Sequence, residues 1–163
     1  MHTLRTHIGN HDGARPGALC RVELESFVMR AGRAAGLKVR AEVRVAGHTG
    51  VSPVTGELDC AWLDPVDGRY LVMFEFDGRD VGRGHIEGTH KRLGNAKKFE
   101  ACGAELKVQV LYGLRNDLTQ WGPSQRDRCQ RLLGAGVRVV SDEELMAPGG
   151  IERLVEEACK LRR

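Results

Sequence analysis

Three carboxylates stand where chemistry can be done: Asp59 in "ELDCAWLD", and Glu75 and Asp77 in "YLVMFEFDG". In the second stretch Val72, Phe74 and Phe76 alternate as the apolar face of a buried strand. Glu75 and Asp77 therefore share the opposite face, roughly 7 Å apart by strand geometry. In the first stretch Leu58, Cys60 and Trp62 define one face and Asp59, Ala61 and Leu63 the other. If the "DPVDG" turn joins the two strands antiparallel, Asp59 comes near Glu75 and Asp77. Three acids on apolar strands repel one another and lose hydration, a heavy cost unless a cation bridges them. Oxygen donors at this density suit Mg2+ or Mn2+, whereas zinc prefers Cys and His. The competing reading neutralises each acid separately: Asp77-Gly78 as a solvated turn, Asp59 in an arginine pair, Glu75 on an exposed face.

The next stretch, "GRDVGRGHIEGTHKRLGNAKK", sets Arg79, Arg83, Lys91, Arg92, Lys97 and Lys98 against Asp80 and Glu87. Acids that hold a cation, with bases further out that hold phosphates, form the layout that phosphodiester cleavage needs. Arg79, Arg83, Arg92 and Lys98 are the expected nucleic-acid contacts. Gly78, Gly82, Gly84 and Gly88 suggest a flexible loop able to approach a backbone closely. His85 and His90 both offer a general acid or phosphate donor near neutral pH, and His85, placed in the loop, is favoured. Trp62, Tyr70 and Trp121 read as structural, which argues against a base-stacking platform for single strands. Arg126, Arg128 and Arg131 of "QRDRCQR" read as a solvated helix face.

The elements that must position these groups follow from periodicity. Leu24, Phe27, Val28, Ala31 and Ala35 keep helical spacing, with Gly36 as the stop. "LKVRAEVRVAG" alternates as a strand, "GHTGVSPVTG" reads as a loop, and "ELDCAWLD", a turn and Arg69 to Asp77 follow as two more strands. Thr89 to Cys102 is expected to be one helix, carrying Leu93, Ala96 and Phe99 inward. "LKVQVLYG" is a buried strand. After it come a helix begun at Pro123 and Ser124, the strand "VRVV", and two helices, the first with Ser141 and Glu144 at capping-box spacing. The fold class expected is α/β: a mixed central sheet with flanking helices, an αβββαβ core over residues 21–113 and an αβα extension over 114–163.

The chain of 163 residues has a formal net charge of +3, compatible with a polyanionic partner without specifying one. Five scattered cysteines with no C-x-x-C pair read as reduced thiols of a cytoplasmic protein. Residues 1–20 lack a secretory apolar segment and read as a polar leader; His2, His7 and His11 there are too irregularly spaced to favour a metal site. One domain is expected, and no apolar run is long enough to span a membrane.

An Asp on the second strand, a short turn, and Glu-x-polar on the third resemble the core of the PD-(D/E)XK, or restriction-endonuclease-like, nucleases. The element order of residues 22–113 is similar to theirs as well. "FEFDG" followed by histidines resembles the branch of very-short-patch repair endonucleases, in which E-x-D-G precedes a histidine. The resemblance implies a metal-dependent endonuclease acting on DNA, with Asp59, Glu75 and Asp77 around Mg2+ or Mn2+ and a supporting acid on the first helix, for which Glu23 is the candidate. It also implies a homodimer or a larger nuclease complex. Two departures stand out: Leu58-Asp59 replaces Pro-Asp, and Asp77 occupies the position of the usual lysine. A displaced lysine is expected from the trio Lys91, Asn95 and Lys98, which share a helix face; Lys91 is the catalytic candidate.

Two other readings stay open. One is a DNA-binding or assembly subunit that keeps the fold with a drifted active site. The other is a metal-dependent phosphatase or ligand-binding α/β domain. The residues themselves admit RNA as well as DNA.

Overall fold

The computed structural model describes residues 20–50, 52–79, 81–113 and 125–162. The expected helix start at Pro123 and Ser124, and Trp121, Asp80 and the leader histidines, lie outside the described residues.

Helix α1 (Arg21–Ala34) precedes three strands, β1 (Lys38–Thr49), β2 (Ser52–Leu63) and β3 (Tyr70–Gly78). A short helix α2 (Arg83–Glu87), a two-residue-per-strand hairpin β4–β5 (Gly88–Thr89 and Arg92–Leu93) and helix α3 (Asn95–Ala101) lead to β6 (Leu106–Tyr112). Helix α4 (Gln125–Leu133), strand β7 (Val137–Ser141), and helices α5 (Asp142–Met146) and α6 (Gly150–Lys160) complete the chain. The main sheet has the order β1-β2-β3-β6-β7. β1, β2 and β3 pair antiparallel, while β3, β6 and β7 pair parallel, so the sheet is mixed and its parallel half is reached by helical crossovers. The α/β class with a mixed sheet and flanking helices is as the periodicity indicated. No helix among the described residues is long and apolar enough to cross a membrane.

Two cores sandwich the sheet. On one face Leu24 and Val28 of α1 and Ile151, Leu154 and Ala158 of α6 pack on Cys60, Trp62, Val72, Phe74 and Phe76. Trp62 and Phe74 meet edge to face at 4.9 Å between ring centroids. Gly32 is what lets the indole in: a Cβ there would lie 2.5 Å from Trp62 Nε1, which donates to the Val28 carbonyl at 3.1 Å. On the other face Ile86, Leu93, Phe99, Cys129 and Leu133 cover Ala61, Met73 and Val139. The α3 side is therefore where the odd-numbered residues of β3 from Met73 onward, Glu75 and Asp77 among them, must be accommodated.

Two expectations are corrected. "GHTGVSPVTG" is no loop: β1 and β2 continue as a ladder to Thr49↔Ser52, with Gly50 at φ 64° making the turn. Its Gly, Ser, Thr and Pro content mimics a loop, but Val45 and Val54 keep one face apolar and Pro53 sits at the ribbon's end, where losing a donor costs least. Thr89 to Cys102 is not one helix either. Gly88, at φ 85°, and Gly94 pinch together so closely that a Cβ on either would lie under 2.5 Å from backbone atoms of the other's segment. That pinch closes the β4–β5 hairpin and confines the helix to Asn95 onward. Of the glycines read as a flexible loop, Gly78 ends β3, Gly82 caps α2, Gly84 lies within it, and Gly88 forms this pinch. The capping box is present as expected: Ser141 Oγ accepts from Glu144 N at 3.1 Å, and Glu144 Oε2 accepts from Ser141 N at 2.7 Å.

Candidate functional site

β2 and β3 are paired from Leu63↔Tyr70 to Cys60↔Phe74 and then part. Beyond that point the ladder bond to β3 comes from a side chain: Asp59 Oδ2 accepts from the Phe76 N–H at 2.7 Å. The alternation of β2 breaks here too, since Leu58 joins the α3-side core while Cys60 and Trp62 join the α1-side core. Across β1, Glu42 takes φ 53°, a left-handed conformation that a glutamate adopts at a cost. The two strands thus form a fork, with Asp59 at its crotch.

Lys98 bridges the prongs. Its ammonium donates to the Glu57 carbonyl of β2 at 3.0 Å and to Glu75 Oε1 of β3. Its stem crosses Gly56, where a Cβ would lie 3.0 Å from Lys98 Cγ, so the glycine opens the passage. Lys98 and Glu75 are both buried. Glu75 Oε2, also buried, has no hydrogen-bond partner among the described residues.

Asp77 is held from three sides. Oδ1 lies 2.9 Å from His85 Nε2, and Oδ2 accepts from Asn95 Nδ2 and, at 3.0 Å, from Gln109 Nε2. Gln109 is fully buried on β6 directly opposite Glu75, donates to the Glu75 carbonyl at 3.3 Å and accepts from Asn95 at 3.0 Å. Glu75, Asp77 and His85 each bring a ligand atom to within 4.8 Å of the others, a geometry that can hold a metal ion. The orphaned Glu75 Oε2 fits such an ion. One imidazole with two carboxylates suits Mn2+ at least as well as Mg2+.

Burial sets the electrostatics. It raises the Glu75 carboxyl to about 8, helped by the Asp59 charge and opposed by Lys98. Burial likewise raises Asp59 to about 6, against the Phe76 N–H and Arg21. The acids do converge, and protein cations stand against two of them: Lys98 faces Glu75, and Arg21 Nη2 faces Asp59 Oδ1.

The remaining expected residues are redistributed. Asp59 is not part of the metal-competent trio; His85 takes that place. Glu23 turns to the helix start, where Oε2 accepts from Cys20 N at 3.1 Å, and Glu25 is the α1 acid whose charge reaches Asp59. Lys91 is exposed in the β4–β5 turn and not on a helix; Lys98, expected as a surface phosphate contact, is the lysine at the acids. Arg79 is turned inward onto Asp142 at 2.5 Å and Glu143 at 3.2 Å, so it is not displayed for a phosphate. Arg83 is exposed and paired with Glu87 at 2.9 Å, while Arg92 is exposed on β5. Sequence reasoning missed Arg21 and Gln109. A glutamine in the otherwise apolar centre of "LKVQVLYG" was the available signal for the latter.

No protein-family model, no curated protein and no solved structure matches this chain.

Proposed function

We propose that this chain is a divalent-metal-dependent nuclease that hydrolyses phosphodiester bonds in DNA, with Glu75, Asp77 and His85 as the cation ligands. The observation that carries the reading is the convergence of one ligand atom from each of those three side chains, together with a buried Glu75 oxygen that lacks a partner among the described residues. When bound, Mg2+ or Mn2+ supplies Lewis acidity to water and to a phosphoryl oxygen.

The chain's own residues do the rest. Lys98 places its ammonium at the fork from α3, in the neighbourhood where the usual strand lysine would act and where Asp77 now stands on β3. Asn95 and Gln109 fix Asp77, and Asp77 in turn orients the His85 ring, whose side chain is one-third exposed at 33%. Asp59 closes the strand fork. The resemblance to PD-(D/E)XK nucleases favours DNA as the substrate and a dimer as the assembly.

Nicking of supercoiled plasmid with Mg2+ or Mn2+ tests the reading. Wild type is expected to nick, and Glu75→Gln and Asp77→Asn to lose nicking while remaining folded. Equal residual cutting in all three proteins overturns it.

One observation favours a second reading, the inactive DNA-binding or assembly subunit. Arg21 covers an oxygen of Asp59, as in a site that has exchanged a metal for an ion pair. Such a protein binds duplex DNA equally well in EDTA and nicks with neither ion.

A further inference from the structure

The β1–β2 ribbon continues well past the point where β2 leaves β3, and a second hairpin is fastened to it. Leu93 of β5 packs into a recess left by two glycines: Cβ atoms at Gly47 and Gly56 would lie 3.2 and 3.4 Å from its side chain. At the tips, Thr49 Oγ1 donates to the His90 carbonyl at 2.5 Å. The β4–β5 turn is thereby fixed against the ribbon's end, and it displays His90, Lys91 and Arg92 beside His48, all exposed. Among the described residues neither Lys91 nor Arg92 has an ion-pair partner, unlike Arg79, Arg83 and Lys97.

We propose that these joined hairpin tips are a second contact for the phosphate backbone of duplex DNA, separate from the acid cluster. The inference rests on the nuclease reading for its substrate and adds a surface to it. Arg92 stands three residues before Asn95, whose side chain donates to Asp77, so at most about 11 Å of chain separates this cation from the acid cluster. That spacing lets one stretch of nucleic-acid backbone lie across both. The tip offers point charges and no Phe, Tyr or Trp, so it reads backbone charge and not unstacked bases. A rigid mounting suits that task, because the cations are set at a fixed distance from the fork by Leu93, Gly47 and Gly56.

The test is fluorescence anisotropy of a labelled 20-base-pair duplex, in EDTA and over a series of salt concentrations. Lys91→Ala/Arg92→Ala is expected to bind about 10-fold more weakly at 0.15 M salt and to flatten the log–log salt slope by about 2, near 0.9 per lost phosphate contact. Lys91→Arg/Arg92→Lys keeps affinity and slope, which separates lost charge from disturbed folding. Unchanged affinity and slope in the alanine pair overturn the proposal, as does equal binding of a single strand of the same length. Because EDTA removes cutting, a protein that fails to nick can still confirm the surface. A protein that nicks while the alanine pair binds normally keeps its nuclease centre and loses the surface.

Discussion

Lys98 and Glu75 form a buried ion pair across the fork between β2 and β3, with 7% and 6% of their side chains exposed. Removing one partner strands the other. At about pH 9, where Glu75 is ionised, Lys98→Met is expected to destabilise the fold by about 3–5 kcal/mol, as loss of one half of a buried ion pair does, whereas Lys98→Met/Glu75→Gln recovers most of that loss. Urea unfolding of the two singles and the double measures the coupling. Additive single effects would mean the pair is not coupled.

Stability should fall as pH rises through the neutral range. Glu75 and Asp59 have folded-state values of about 8 and about 6, both above the ordinary carboxylate range near 4. The folded protein therefore binds protons that the unfolded chain has already released. The stabilisation is fully present below pH 4 for these groups and is lost as pH rises through 6 and then 8. The urea midpoint is expected to decline between about pH 5 and 8.5, and Glu75→Gln to flatten the upper part of that decline. Parallel profiles for the two proteins would contradict the assignment.

Gly32→Ala separates packing from helix propensity. In an exposed helix the change stabilises by up to about 1 kcal/mol. Here the methyl would collide with the Trp62 indole at 2.5 Å and threaten its bond to Val28, so a net loss of about 1–3 kcal/mol is expected. Thermal unfolding reads the sign directly; a variant as stable as wild type would show that the indole moves aside freely.

Much of this arrangement was legible from residue pattern, and the misses have definite causes. Alternation of Val72, Phe74 and Phe76 placed Glu75 and Asp77 together on the opposite face, which is where they stand, because period two is enforced by burial on both sides of β3. The same rule failed one strand earlier. At Asp59 the alternation of β2 breaks, beside the left-handed Glu42, and no local pattern announces a strained glutamate. The helix over Thr89 to Cys102 failed because Gly88 and Gly94 act on each other across six residues, a contact that propensity does not contain. That error moved Lys91 to the acids and Lys98 to the surface, the reverse of their positions. Arg21 and Gln109 were hidden because their partners lie 38 and 32 residues away in sequence.

The most direct test of the central claim is Mn2+ binding by the purified chain at pH 8, followed by the loss of the free-ion electron paramagnetic resonance signal. One bound ion per wild-type chain is expected, abolished in Glu75→Gln and Asp77→Asn and weakened in His85→Ala. Wild-type protein that leaves the free-ion signal unchanged, or variants that bind as wild type does, would contradict a cation site shared by these three residues.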